Sequence, residues 1–217
     1  MYIMDIDITM DIHPEQLAYW HLRLNGFLTI PNFIVHPDQG SNQETEIDIL
    51  GVRFPYRAEN LNRPMKDDPQ FTRYRDKSFI AIAEVKSGRC ALNGPWTNPA
   101  RKNMLRVLRA IGAFPKIEAA LVAEELYKNG CYASQLYYVS LLCFGRESSI
   151  EVAECYPHVP QILWTEVLGF IYRRFQEYRY QKASHQQWDQ QGHDLWDVFE
   201  KSRDEDHFRE NVNVIVL

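Results

Sequence analysis

The chain has no apolar run approaching the roughly 18 residues that cross a bilayer, so no membrane span is expected. Its opening stretch, MYIMDIDITMDIHPE, is acidic where a secretory signal is basic and then apolar, so export is not expected either. Cysteine is scarce: Cys90, Cys131, Cys143 and Cys155 stand far apart, with no C-x-x-C pair and no histidine at zinc-ligand spacing. They read as reduced thiols of a cytoplasmic protein. A phosphate-cradling glycine loop is missing, as is any serine or cysteine nucleophile signature, so ATP is not implied. Nor is there an excess of positive charge. With 24 Lys and Arg against 29 Asp and Glu the net charge is −5, and bulk attraction cannot coat nucleic acid; any such contact has to be local. Repeats, low-complexity blocks and Gly/Ser linkers are absent too. This favours one α/β core over residues 1–158 with a helical C-terminal extension, residues 159–217, packing on it.

What is present suffices for a core, since 45% of the 217 residues are hydrophobic and 13% aromatic. Leu17, Trp20 and Leu24 share a helical face in residues 14–25, with Pro14 in the first turn and Gly26 at the end. Residues 27–35 are rich in β-branched and aromatic side chains, and Pro31 places that strand at an edge or a bulge. In residues 45–54, Thr45, Ile47 and Ile49 alternate with Glu46, Asp48 and Leu50, which predicts a second strand with two distinct faces. A polar connection, residues 55–78, is long enough to count as a functional or mobile loop before a third strand at 79–86. Asn98 and Pro99 open a helix running to about Gly112, and another runs from Pro115 to about Asn129. The apolar run 135–144 suits a strand covered on both faces. Trp164, Leu168, Ile171, Phe175 and Tyr178 predict one long amphipathic helix over 159–182, and a shorter helix is expected at 194–201. The segment SRDEDHFREN reads as loose, and NVNVIVL as a terminal strand or a tail.

The chemistry is concentrated on two strands. Ile80, Ile82, Glu84 and Lys86 share one face, so an apolar strand ends in two charges. If the second and third strands are neighbours, Asp48 meets Glu84, and two carboxylates form an oxygen site for a hard divalent cation, completed by a backbone carbonyl near Val85 and by water. Lys86 then stands where an ammonium orients a water or offsets charge on a phosphorane-like transition state. The alternative is a salt-bridged strand end.

These residues resemble the PD-(D/E)XK nuclease superfamily, the restriction-endonuclease-like fold. The resemblance rests on Glu15 in the first helix, Asp48 in TEIDIL, and Glu84 and Lys86 in AEVKSG, within the order helix, three strands, helix, strand over about residues 14–144. The wording E-I-D followed by E-V-K looks most like small resolvase-like and repair-type members. One departure is that Ile47, not a proline, precedes Asp48. The resemblance implies a central mixed sheet of about four or five strands flanked by helices. It also implies an enzyme that hydrolyses phosphodiester bonds, most simply of DNA, with Mg²⁺ or Mn²⁺. In that reading Asp48, Glu84 and the Val85 carbonyl hold the metal, Lys86 assists the attacking water, and Glu15 completes or supports the site. Glu15 equally suits the positive end of its helix, and Glu46 is either a further site residue or a solvated carboxylate. A non-catalytic nuclease-fold binding or assembly subunit is the competing expectation, and a regulator that uses its basic helix only for recognition is a third.

For recognition, Lys102, Arg106 and Arg109 fall at i, i+4 and i+7 with no acidic residue between them, a face that can meet phosphates. Arg173, Arg174, Arg179 and Lys182, interleaved with Tyr172, Tyr178 and Tyr180, suit either a nucleic-acid backbone or helix packing. The C-terminal helices are also the expected place for a homodimer or protein partner. Asp5 and Asp7, and His185 and His193, are weaker metal candidates beside their plainer roles as solubilising acids and a solvated connection.

Overall fold

The structure, a computed structural model, describes residues 9–36, 45–74, 76–184 and 189–215. Strand β1 (Met10–Ile12) leads into helix α1 (Pro14–Leu24), which keeps Pro14 in its first turn as predicted. It is followed by Gly26, whose φ of 82° suits a residue without Cβ. Strands β2 (Leu28–Val35) and β3 (Thr45–Arg53), the short helix α2 (Pro69–Thr72) and strand β4 (Ser78–Val85) come next. After β4 the chain crosses over through α3 (Gly94–Thr97), a 3₁₀ turn (Pro99–Arg101), α4 (Asn103–Ile111) and α5 (Lys116–Asn129). It then enters β5 (Cys131–Ala133) and β6 (Tyr137–Gly145). The remainder is α6 (Ile150–Cys155), β7 (Gln161–Leu163), α7 (Trp164–Glu177), α8 (Arg179–Ala183), α9 (Gln190–Lys201), α10 (Glu205–Asn211) and β8 (Val212–Val214).

The fold is α/β. Strands β2, β3 and β4 form an antiparallel meander, β6 joins β4 in parallel, and β5 and β7 pair with β6, giving a mixed sheet of six strands, one or two more than expected. β2 is an edge strand, which accommodates Pro31. β4 is buried on both faces, and its alternation sorts two cores. Phe79, Ala81, Ala83 and Val85 belong to the layer shared with α1 and α7, and Ile80 and Ile82 to the layer shared with α4 and α5.

Several boundaries differ from the sequence reading for tertiary reasons. Lys102 adopts a left-handed conformation (φ 56°), so the helix expected over 99–112 is split into the 3₁₀ turn and α4. The long helix expected over 159–182 starts only at Trp164, because residues 161–163 pair with β6, and it breaks at Tyr178. SRDEDHFREN is not loose: Asp204 caps α10 by accepting the His207 N–H, and Phe208 is fully buried. β8 then pairs in parallel with β1. Among the described residues of 159–217, strands therefore accompany the helices.

The connection 55–78 is held by a charged network. Asp67 accepts from Arg53 (2.7 Å), Arg57 (2.6 Å) and Arg174 (2.7 Å), while Glu59 pairs with Arg57, Arg174 and Lys182. The guanidinium groups outweigh burial and hold the Asp67 carboxyl below its ordinary range.

Candidate functional site

The ladder between β3 and β4 pairs Leu50 with Ile82 and Ile49 with Ala83. One further step in the same register sets Asp48 beside Glu84. Here the strands are no longer regular. Asn32, which would oppose Asp48 from β2, sits at φ 50°, and the β2–β3 ladder skips this pair between Pro31–Ile49 and Phe33–Ile47. Strict alternation fails at the same place. Ile47 packs in the layer of Leu50, whereas Ile49 packs in the opposite one.

On its other side Asp48 reaches β4 with its side chain, Oδ2 accepting the Val85 N–H at 2.6 Å. Glu84 is 3% exposed and is held on both oxygens. Lys86 Nζ donates to Oε1, and Trp96 Nε1 donates to Oε2 at 2.5 Å. Burial, then the charge of Glu84, push the Asp48 carboxyl up to about 7; the Val85 N–H and Lys86 pull it down, and Glu15 adds a small upward push. The structure thus brings Asp48, Glu84, Val85 and Lys86 together and sets the charge of Glu15 within reach of them. Glu46 lies half-buried on the same strand.

The segment after β4 is fixed alongside β6. Lys86 N–H donates to the Phe144 carbonyl at 3.0 Å, Arg146 N–H to Gly88 at 2.6 Å, and Cys90 N–H to Glu147 at 2.8 Å. Gly145 permits this approach: a Cβ there would lie 2.8 Å from the Gly88 carbonyl oxygen and 2.9 Å from the Cys90 nitrogen. The four cysteines are free thiols. Cys143 stands opposite Glu84 in the ladder and bonds with Cys90, an interaction that, with burial, raises the Cys143 thiol.

The donor chemistry suits a hard cation. Carboxylates offer about four lone-pair sites each, so Asp48 and Glu84 keep acceptor capacity beyond the bonds they already make. Burial first, and the neighbouring Glu84 charge second, raise the Asp48 carboxyl, and a cation beside it would offset both. Among the described residues no three His, Cys, Asp or Glu side chains form a metal-holding group, so such an ion would rest on two carboxylates, with a carbonyl and water as the remaining oxygens.

The recognition candidates fare differently. Lys102 is exposed but lies at the N-terminal boundary of α4, where its carbonyl accepts the Arg106 N–H at 3.2 Å. Arg106 is half-buried and Arg109 exposed in the last turn. The second basic cluster is largely absorbed internally. Arg174 is fully buried in the network described above, Arg173 pairs with Glu205, Arg179 lies over the Phe199 ring, and the Tyr178 hydroxyl accepts the Met65 N–H. His193 belongs to α9, and Asp5, Asp7 and His185 lie outside the described residues.

Sequence reasoning missed Trp96. Its signal was a large aromatic inside the turn-forming run GPWTNP, where such a side chain needs a buried place.

Among the described residues no helix is long and apolar enough to cross a membrane. In comparisons with known proteins, no family model, no curated protein and no solved structure matches the chain.

Proposed function

We propose that the protein is a metal-dependent nuclease hydrolysing phosphodiester bonds, most simply those of DNA, on a restriction-endonuclease-like core. The observation that carries this reading is the cluster in which Asp48 and Glu84 share a partly desolvated site with Lys86 at the buried end of β4. The element order supports it as well: α1, three antiparallel strands, crossover helices and a parallel strand follow the order the resemblance implies.

A bound divalent ion supplies charge neutralisation and a more acidic water. Asp48 and Glu84 offer it oxygens, and the Val85 N–H keeps Asp48 turned toward Glu84. Lys86 brings a side-chain ammonium to this cluster. Its part is to orient the attacking water or to stabilise charge that develops on the phosphoryl oxygens. Lys102, Arg106 and Arg109 supply local phosphate contacts that the net charge of −5 cannot.

The direct test incubates the protein with supercoiled, linear, single-stranded and branched DNA, and with RNA, with and without Mg²⁺ or Mn²⁺. Lys86→Ala should abolish cleavage and leave binding nearly intact, because the lost interaction belongs to the transition state. Replacing Lys102, Arg106 and Arg109 together should instead weaken binding and flatten its salt dependence by about one unit per lost phosphate contact. Cleavage by Lys86→Ala at the wild-type rate rules out the role given to Lys86.

A second reading, a non-catalytic binding or assembly subunit, is favoured by one observation: the protein's own Lys86 and Trp96 already engage both oxygens of Glu84. Binding without cleavage of any nucleic acid, under every metal condition, selects it.

A further inference from the structure

Glu84 is gripped from two sides by unequal partners. Lys86 is 28% exposed on its side chain, ends a flexible stem and can leave Oε1 for a phosphate. Trp96 cannot follow it. The indole is 1% exposed, in the same core layer as Ile80, Ile82 and Met104.

The position of Trp96 is set by contacts beyond its own element. Helix α3 is a single turn and does not hold itself. Its Trp96 N–H donates to the Asn93 carbonyl at 2.9 Å. The Tyr127 hydroxyl of α5 then brackets the segment, accepting the Met104 N–H at 3.1 Å and donating to the Pro95 carbonyl at 3.4 Å. Trp96 Nε1 therefore presents its hydrogen to Glu84 from a braced frame. An indole nitrogen only donates, so Oε2 is held strictly as an acceptor.

The geometry points to Trp96 as a positioning residue of the site: its indole N–H fixes Glu84 Oε2, so the carboxylate keeps its aim toward Asp48 when Lys86 swings to substrate. This inference rests on the reading of Asp48 and Glu84 as metal ligands. It also gives the segment from Asn93 to Lys102 a second duty, since the turn that orients Glu84 continues directly into the exposed Arg101 and Lys102. A purely structural indole, buried and merely satisfied by the nearest oxygen, would affect stability and leave metal affinity alone.

Trp96→Phe removes the donor while keeping an aromatic ring in the core. A second protein carries β-(3-benzothienyl)alanine at position 96, which has the shape of tryptophan with sulfur in place of the N–H and guards against loss of folding in the phenylalanine variant. Calorimetry with Mn²⁺ should show affinity reduced about 10- to 100-fold in the folded variants, the usual range for losing a group that orients a ligand. In ¹⁵N-labelled wild type, the indole N–H signal that is missing from Trp96→Phe should move when Mg²⁺ is added. Wild-type Mn²⁺ affinity in either folded variant, or an unmoved indole signal, overturns the positioning role and leaves the two carboxylates as ligands. Failure of the wild-type protein to bind Mn²⁺ removes the metal reading itself, and the positioning role with it.

Discussion

Asp48 shows how a candidate site residue can work against the fold that holds it. In the unfolded chain its carboxyl releases a proton near 3.8, whereas in the folded protein it keeps that proton to about 7. Between these values the folded state binds more protons, so stability is full below the lower value and falls as pH rises through the upper one. Asp48→Asn removes this dependence. The variant should match wild type near pH 4 and exceed it at pH 8 by roughly 1–2 kcal/mol, after allowing for solvent screening of a partly exposed group. Thermal melts across that range check it; parallel profiles for the two proteins contradict a desolvated Asp48. Glu84 and Lys86 are legible as candidates because charges at the end of an apolar strand break a pattern, and Asp48 because TEIDIL precedes AEVKSG as the resemblance implies. Trp96 is not, because its hydrogen bond to Glu84 depends on Tyr127 bracing a turn from another helix.

Among the elements, those read correctly were the ones whose pattern is satisfied locally. α1 follows its helical spacing, β4 its alternation between two core layers, and β2 its β-branched and aromatic content, with Pro14 and Pro31 where such residues are tolerated. The split at Lys102 was hidden: Met104, Leu108 and Ile111 keep helical spacing on one side of it, while Asn98 caps the 3₁₀ turn on the other by accepting the Ala100 N–H at 3.1 Å. The connection from β3 to β4 looked like a candidate mobile loop because its acids and arginines find their partners on α7, far along the chain. Its central group is Asp67, which accepts from three guanidinium groups, one of them on the fully buried Arg174. Asp67→Ala leaves those cations short of a partner and should cost about 3 kcal/mol in a denaturant titration. The Asp67 carboxyl is held low, so this contribution is present above its unfolded value and lost as pH falls. The gap between variant and wild type should close in acid, and a constant gap contradicts the ionic account.

At the scale of the whole molecule, the chain beyond residue 158 supplies much of one of the two core layers. Val167, Leu168, Phe170, Ile171 and Phe175 of α7 belong to the same buried layer as Leu17 and Trp20 of α1 and Phe79 of β4. A protein ending at residue 158 exposes that layer and should be unfolded by circular dichroism; a cooperative thermal transition in the truncated chain contradicts a shared core. The parallel pairing of β4 with β6 has a kinetic consequence. Asp48 and Glu84 lie on antiparallel neighbours, yet the strand that flanks Glu84 on its other side arrives only after the crossover through α3, α4 and α5 has closed. Such long-range pairing is slow to form. Until it does, the two carboxylates face water and Asp48 ionises as an ordinary aspartate. At pH 6 the last stage of refolding should therefore draw a proton from solution, so that an indicator dye in a stopped-flow experiment reports the closing of the crossover as a delayed rise in pH.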